Sequence, residues 1–160
     1  MSFLSVVVAT YKRVDTLRVT LQRLADQTLS KDLYEVIVVD DGSPDNTEEM
    51  VTSLIATYPV SLRYLRHENR GPGYSENRGI RESKGPWVLL IADDIHPFPD
   101  MLQVHYDQHA AQPAEHIAVG GKVIQSPDLP KTDFLKKWDP FRYYKFEHFT
   151  ELSYLNFWAC

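Results

Sequence analysis

A chain of 160 residues that is 43% hydrophobic holds enough apolar material for one packed core, which excludes a disordered or fibrous protein. Seventeen Lys and Arg against 22 Asp and Glu leave a net charge of −5, which argues against a broad nucleic-acid-binding face, because neutralising phosphates takes a basic surplus. The single cysteine, Cys160, excludes an internal disulfide and a multi-cysteine metal site and favours a reducing compartment; the apolar run at residues 3–9 falls far short of the roughly 20 residues of a membrane helix.

Residues 3–9 are rich in β-branched side chains and nearly continuous in apolarity, the pattern of a strand buried on both faces. Val14, Leu17, Leu21 and Leu24 then recur at helical spacing, predicting an amphipathic helix that ends near Gln27. Residues 34–39 repeat the buried-strand pattern and run into Asp40, Asp41, Gly42 and Ser43, so a second strand delivers two carboxylates to its carboxyl end before a turn. Asp45 with Glu48 three residues later suits a capping box, and Met50, Val51, Leu54 and Ile55 supply the stripe of a second helix.

A short third strand is predicted at residues 61–66, followed by a glycine-punctuated stretch, 69–79, that opens a helix stopping before Pro86. Residues 87–92 form a fourth strand, again ending in acids, Asp93 and Asp94. Pro99 sits where a helix starts towards Ala111, and a fifth strand is expected near residues 117–124. Beyond Pro127 the periodicity fades into aromatics, among them Phe134, Trp138, Phe141, Tyr143, Tyr144, Phe146 and Phe149, which suit either a core or a sugar-stacking groove. No repeat, low-complexity tract or linker interrupts the chain. Strands alternating with helices at short spacing predict an α/β fold: a doubly wound, mostly parallel sheet with helices on both faces.

In such a sheet ligands bind outside the carboxyl ends of the strands. Thr10, Tyr11, Lys12 and Arg13 follow the first strand, Asp40 and Asp41 the second, Asp93 and Asp94 the fourth. Paired carboxylates there suit a hard divalent cation that shares its remaining positions with phosphates, while a lone Asp-Asp equally suits turn formation or helix capping. His105 and His109 stand four apart and can share a helix face, but with His96 and His116 they lack a Cys or Glu to complete a zinc set.

Residues 6–13, residues 35–43, Asn69 with Gly71, Asn77 with Gly79, and Asp93-Asp94 with Pro99 occur in an order and spacing that resemble the nucleotide-sugar-binding half of family 2 glycosyltransferases over residues 3–125. That resemblance implies the GT-A fold, a UDP-linked or other nucleoside-diphosphate sugar as donor, Mn²⁺ or Mg²⁺ as cofactor, and a glycan, lipid or protein acceptor. By position it implies that Asp41 binds the base, that Thr10 and Tyr11 pack around it, that Asn77 belongs to the donor site, that Asp93 lies near ribose and pyrophosphate, and that Asp94, with Asp93, holds the metal. Arg70, Arg78 and Lys12 are candidate phosphate contacts or ordinary surface charges. One departure stands out: Ile91 occupies the place where many members carry a further Asp.

The resemblance also implies a cytoplasmic protein, with peripheral membrane association at the inner face as one possibility, and a division into residues 1–125, the donor-binding domain, and 126–160, the start of an acceptor-side region that reads as truncated. The general base is then expected outside the chain, since no motif supports Asp139, Glu147 or Glu151. Two other readings remain open, a nucleotidyltransferase and a catalytically silent sugar-nucleotide-binding domain. A phosphoacceptor receiver fits worse, because the third strand ends without an acceptor Asp.

Overall fold

A computed structural model describes residues 4–111, 118–121, 123, 124, 126, 132 and 133. Contacts divide the chain between residues 117 and 118, and all the elements below belong to the first unit. They run β1 (Leu4–Thr10), α1 (Val14–Ala25), β2 (Tyr34–Asp40), α2 (Thr47–Ile55), β3 (Ser61–Arg66), α3 (Pro72–Glu82), β4 (Trp87–Ala92) and α4 (Met101–Ala111).

The four strands form one sheet in the order β3-β2-β1-β4, and every neighbouring pair is parallel. β1 and β2, the inner strands, are buried along almost their whole length, which is why their sequences are continuously apolar rather than alternating. On one face Val6, Val8, Val36 and Val38 pack with Leu17, Leu21 and Leu24 of α1, Met50 and Val51 of α2, and Leu102 of α4. On the other face Val7, Ile37 and Val39 form a smaller core, and α3 lies against β1 and β2 there. Gly79 makes this seating possible: a Cβ at that position would stand 2.2 Å from Val7 Cγ1.

The connections from β1 to β2 and from β2 to β3 step one way across the sheet; the next returns past β1 to β4. The order therefore reverses beside β1, and the carboxyl ends of β1 and β4 mark the place where open sheets of this kind form a ligand crevice.

Two expectations need correction. Residues 118–121, 123 and 124, the described part of the expected fifth strand, carry no strand, and the Gly120-Gly121 pair explains the poor strand-forming tendency. The Asp45–Glu48 capping box does not form. Asp45 instead accepts from the backbone N–H and hydroxyl of Thr47 at 3.3 and 2.6 Å, while Glu48 reaches towards Arg66, 3.6 Å away. Burial opposes ionisation of Asp45, but the donors Thr47 and Val14 outweigh it and hold its pKa below the usual carboxylate value.

Candidate functional site

Parallel pairing places Thr10 beside Asp40 on one side and Ala9 beside Ala92 on the other, so Asp41 and Asp93 emerge at the same rim, flanking the end of β1. Strand spacing puts β2 and β4 about 10 Å apart across β1. Thr10 fastens both sides. Its carbonyl accepts the Asp41 backbone N–H at 2.9 Å, and its hydroxyl donates to Asp93 Oδ2 at 2.7 Å. Thr10, Asp41 and Asp93 are all buried, so these bonds act in a medium where an unpaired polar group is costly.

Asp93 is fixed from further directions. The Thr20 hydroxyl donates to its carbonyl at 2.7 Å, and Arg13 Nη1 donates to its Oδ1 at 3.1 Å. The same Arg13 nitrogen donates to Asp94 Oδ2 at 2.8 Å. Asp94 differs from Asp93 in exposure, with half of its side chain in water. Asp93 first, and then Asp94, raises the Arg13 pKa above its ordinary value, so the guanidinium is a permanent cation here.

On the β2 side the two carboxylates part ways. Asp40 turns inwards: Oδ1 accepts from the Ser43 backbone N–H at 2.8 Å, and Oδ2 from the Tyr64 hydroxyl at 2.5 Å. Burial, then Asp40, drives the Tyr64 pKa up. Of the two acids expected to reach the crevice, Asp40 is therefore a turn former. Gly42, at a φ of 77°, closes that turn with its Cα so near His67 that a Cβ would sit 2.9 Å from the His67 carbonyl oxygen.

Asp41 holds the segment entering α3. Its Oδ1 accepts the Arg70 N–H at 2.7 Å and its Oδ2 the Gly71 N–H at 2.9 Å. His67 stands 3.3 Å from Asp41 through Nδ1, which also reaches the Glu68 carbonyl at 2.7 Å; its Nε2 lies 3.2 Å from the Ser75 hydroxyl.

The remaining predicted residues are spread along the rim. Tyr11 is exposed just beyond β1, with the Lys12 ammonium 4.9 Å from its ring centre. Asn77 is exposed on α3, outside the hydrogen-bonded cluster. Arg70 lies over the Tyr74 ring, and Arg78 donates to the Arg66 carbonyl at 2.7 Å, so both serve local structure in this state. His105 is buried, and His109 stacks on Trp87 with ring centres 4.0 Å apart. Among the described residues no group of three or more His, Cys, Asp or Glu is gathered to hold a metal. His116, Asp139, Glu147, Glu151 and the aromatic tail from Phe134 onwards lie outside the described residues.

Arg13, Thr20 and His67 carry roles that sequence reasoning missed. Only Arg13 left a trace, as the last residue of the polar segment after β1. The partners of Thr20 and His67 depend on tertiary placement, which spacing does not encode.

A residue set of this kind can bind a divalent cation only by sharing it with a ligand. Asp94 offers a half-open carboxylate, Asp93 has both oxygens engaged, and Mg²⁺ or Mn²⁺ commonly completes its shell with phosphate oxygens and water. The site fits a metal–diphosphate pair better than a bare ion.

The sequence profile of the family described as "Glycosyl transferase family 2" matches residues 5–157. A dolichyl-phosphate beta-glucosyltransferase of Dictyostelium discoideum is 33% identical over 146 residues, covering 84% of this chain and 45% of that protein. A chondroitin synthase of Escherichia coli is 33% identical over 138 residues, covering 84% of this chain and 19% of that protein. Among solved structures, the mannosyltransferase PcManGT from Pyrobaculum calidifontis, in complex with GDP-Man and Mn²⁺, superposes with a TM-score of 0.63 at 27% identity, covering 67% of this chain and 32% of that one. The chain thus spans less than half the length of these relatives.

Proposed function

Because the chain belongs to glycosyl transferase family 2, we propose that it is the donor-binding part of a glycosyltransferase, which holds a nucleoside-diphosphate sugar across the carboxyl ends of β2, β1 and β4. The observation that carries this reading is the double attachment of Thr10, which brings Asp41 and Asp93 to one rim. In this reading Asp41 has two tasks: it holds Arg70 and Gly71 in place, and the lone pairs left on its oxygens face the base. Tyr11, exposed at the same rim, stacks on that base; Asn77 flanks the donor from α3.

The diphosphate lies towards Asp93 and Asp94. Asp94 is the metal ligand, and Asp93, locked by Thr10, orients it and supports the ribose–pyrophosphate end. A divalent cation bound there supplies Lewis-acid stabilisation of the negative charge that the departing diphosphate gains when the sugar–phosphate bond breaks. The relative solved with GDP-Man and Mn²⁺ supports such a donor and metal. A uridine donor follows from the sequence resemblance, and the acceptor is a hydroxyl group of a glycan, lipid or protein. No helix among the described residues is long and apolar enough to cross a membrane.

Thermal unfolding of the chain with UDP, GDP and UTP, each with and without Mn²⁺, tests the reading. A ligand that binds only the folded state raises the midpoint by mass action. The expected result is a rise with UDP and Mn²⁺ together and little with either alone. A preference for UTP would favour the nucleotidyltransferase alternative; no response to any nucleotide with any metal would end the donor-site reading.

A further inference from the structure

We propose that Arg13 is a built-in competitor of the metal: its guanidinium holds Asp93 and Asp94 while the site is empty, then passes to the diphosphate when cation and nucleotide arrive together. This rests on the donor-site reading above. A single nitrogen, Nη1, lies 3.1 Å from Asp93 Oδ1 and 2.8 Å from Asp94 Oδ2, bridging both carboxylates as a shared cation would.

The surroundings assign the movable parts. Asp93 is buried and held by the Thr10 hydroxyl and by Thr20, so it stays. The Arg13 backbone stays as well, because its carbonyl accepts the Leu17 N–H at 2.9 Å and opens α1. The side chains of Arg13 and Asp94 are exposed by 53% and 50%, so their pairing is weak and both can reorient.

Charge decides the order of events. The guanidinium cancels one of the two negative charges of the acid pair, so a divalent cation arriving alone meets half the attraction and a positive neighbour. A nucleoside diphosphate brings its own negative charges and offers oxygens that a planar guanidinium grips in paired hydrogen bonds. Arg13 then leaves the acids without losing a counter-ion. Metal and nucleotide become thermodynamically coupled, each raising the affinity of the other, and the coupling is reciprocal.

Mn²⁺ affinity, measured by the paramagnetic resonance signal of free Mn²⁺ with and without UDP, tests this in the wild-type chain and in Arg13→Gln. Arg13→Gln should bind Mn²⁺ alone about fivefold more tightly, and the UDP-induced gain in Mn²⁺ affinity should shrink by about fivefold or more. Arg13→Lys, which keeps the charge, should retain weak binding of Mn²⁺ alone and guards against a folding defect in the first variant. Unchanged or weaker Mn²⁺ binding in Arg13→Gln, with UDP–Mn²⁺ binding still measurable, overturns the competitor role and leaves the donor site standing. Absence of any UDP–Mn²⁺ binding in the wild-type chain overturns both.

Discussion

The two ends of the sheet use the same chemistry to opposite effect. At the amino end Glu35 is buried between β1 and β3, where it accepts from the Ser5 hydroxyl at 2.7 Å and the Lys84 N–H at 2.9 Å and lies 3.5 Å from Arg63 Nη1. At the carboxyl end Asp93 and Asp94 face Arg13, and half of Asp94 and of Arg13 remains in water. An acid enclosed by protein partners is part of the scaffold, whereas an acid whose only partner is a solvated side chain can exchange it for a ligand.

Glu35→Ala should be the most damaging change, because it removes the buried carboxylate on which Ser5, the Lys84 amide and Arg63 converge, leaving Arg63 with Glu82 alone and the Lys84 amide with the longer bond to Ser5. Urea unfolding should show a loss of about 3 kcal/mol. A loss below about 1 kcal/mol would erase the contrast between the two ends.

Thr10→Val follows. The variant keeps the shape and the backbone bond to Asp41 but strips Asp93 of its hydroxyl donor, which should cost about 2 kcal/mol and weaken nucleotide binding together with stability. Loss of stability with intact UDP–Mn²⁺ binding would show that the link across β1 serves the fold alone.

Asp94→Asn sharpens the comparison from the other direction. Stability should change by less than about 1 kcal/mol, since the Arg13 pair is solvated, while the metal dependence of UDP binding in a calorimetric titration should disappear. Retained metal dependence would move the ligand role away from Asp94.

The mildest effect lies outside both ends. Burial, aided for His105 by neighbouring His109, holds both α4 histidines below their ordinary value of 6.5. The unfolded chain then binds protons more readily, so their contribution is fully present above about pH 6.5 and is lost as the pH falls below it. Urea midpoints from about pH 8 to about pH 5 should decline on the acid side, and His105→Gln should flatten that decline; a flat wild-type profile would count against neutral burial.

Most of the fold was legible because its signals are local. β3 and β4 lie at the residues their composition marks, 61–66 and 87–92, and helical spacing from Val14 to Leu24 foretells the face that α1 buries. What stayed hidden was pairing over distance. Thr10 meets Asp93 across 83 positions, and nothing near either residue announces the other. The same holds for Asp40 and Asp41: adjacent in sequence, they are sent to opposite tasks by β3 and by the segment entering α3. Acids at strand ends mark the rim from sequence alone, but which acid remains open depends on neighbours that only the folded sheet supplies.

The close seating of α3 has a consequence for how that rim tolerates change. Gly79 rests on Val7 with no room for even a methyl group, so the helix and the strand have no clearance to absorb added bulk. Because the amides of Arg70 and Gly71 stand just ahead of α3, a bulge under its middle would tilt its leading end and pull those donors from Asp41. Mid-sheet packing thereby sets the alignment of the Asp41 end of the rim.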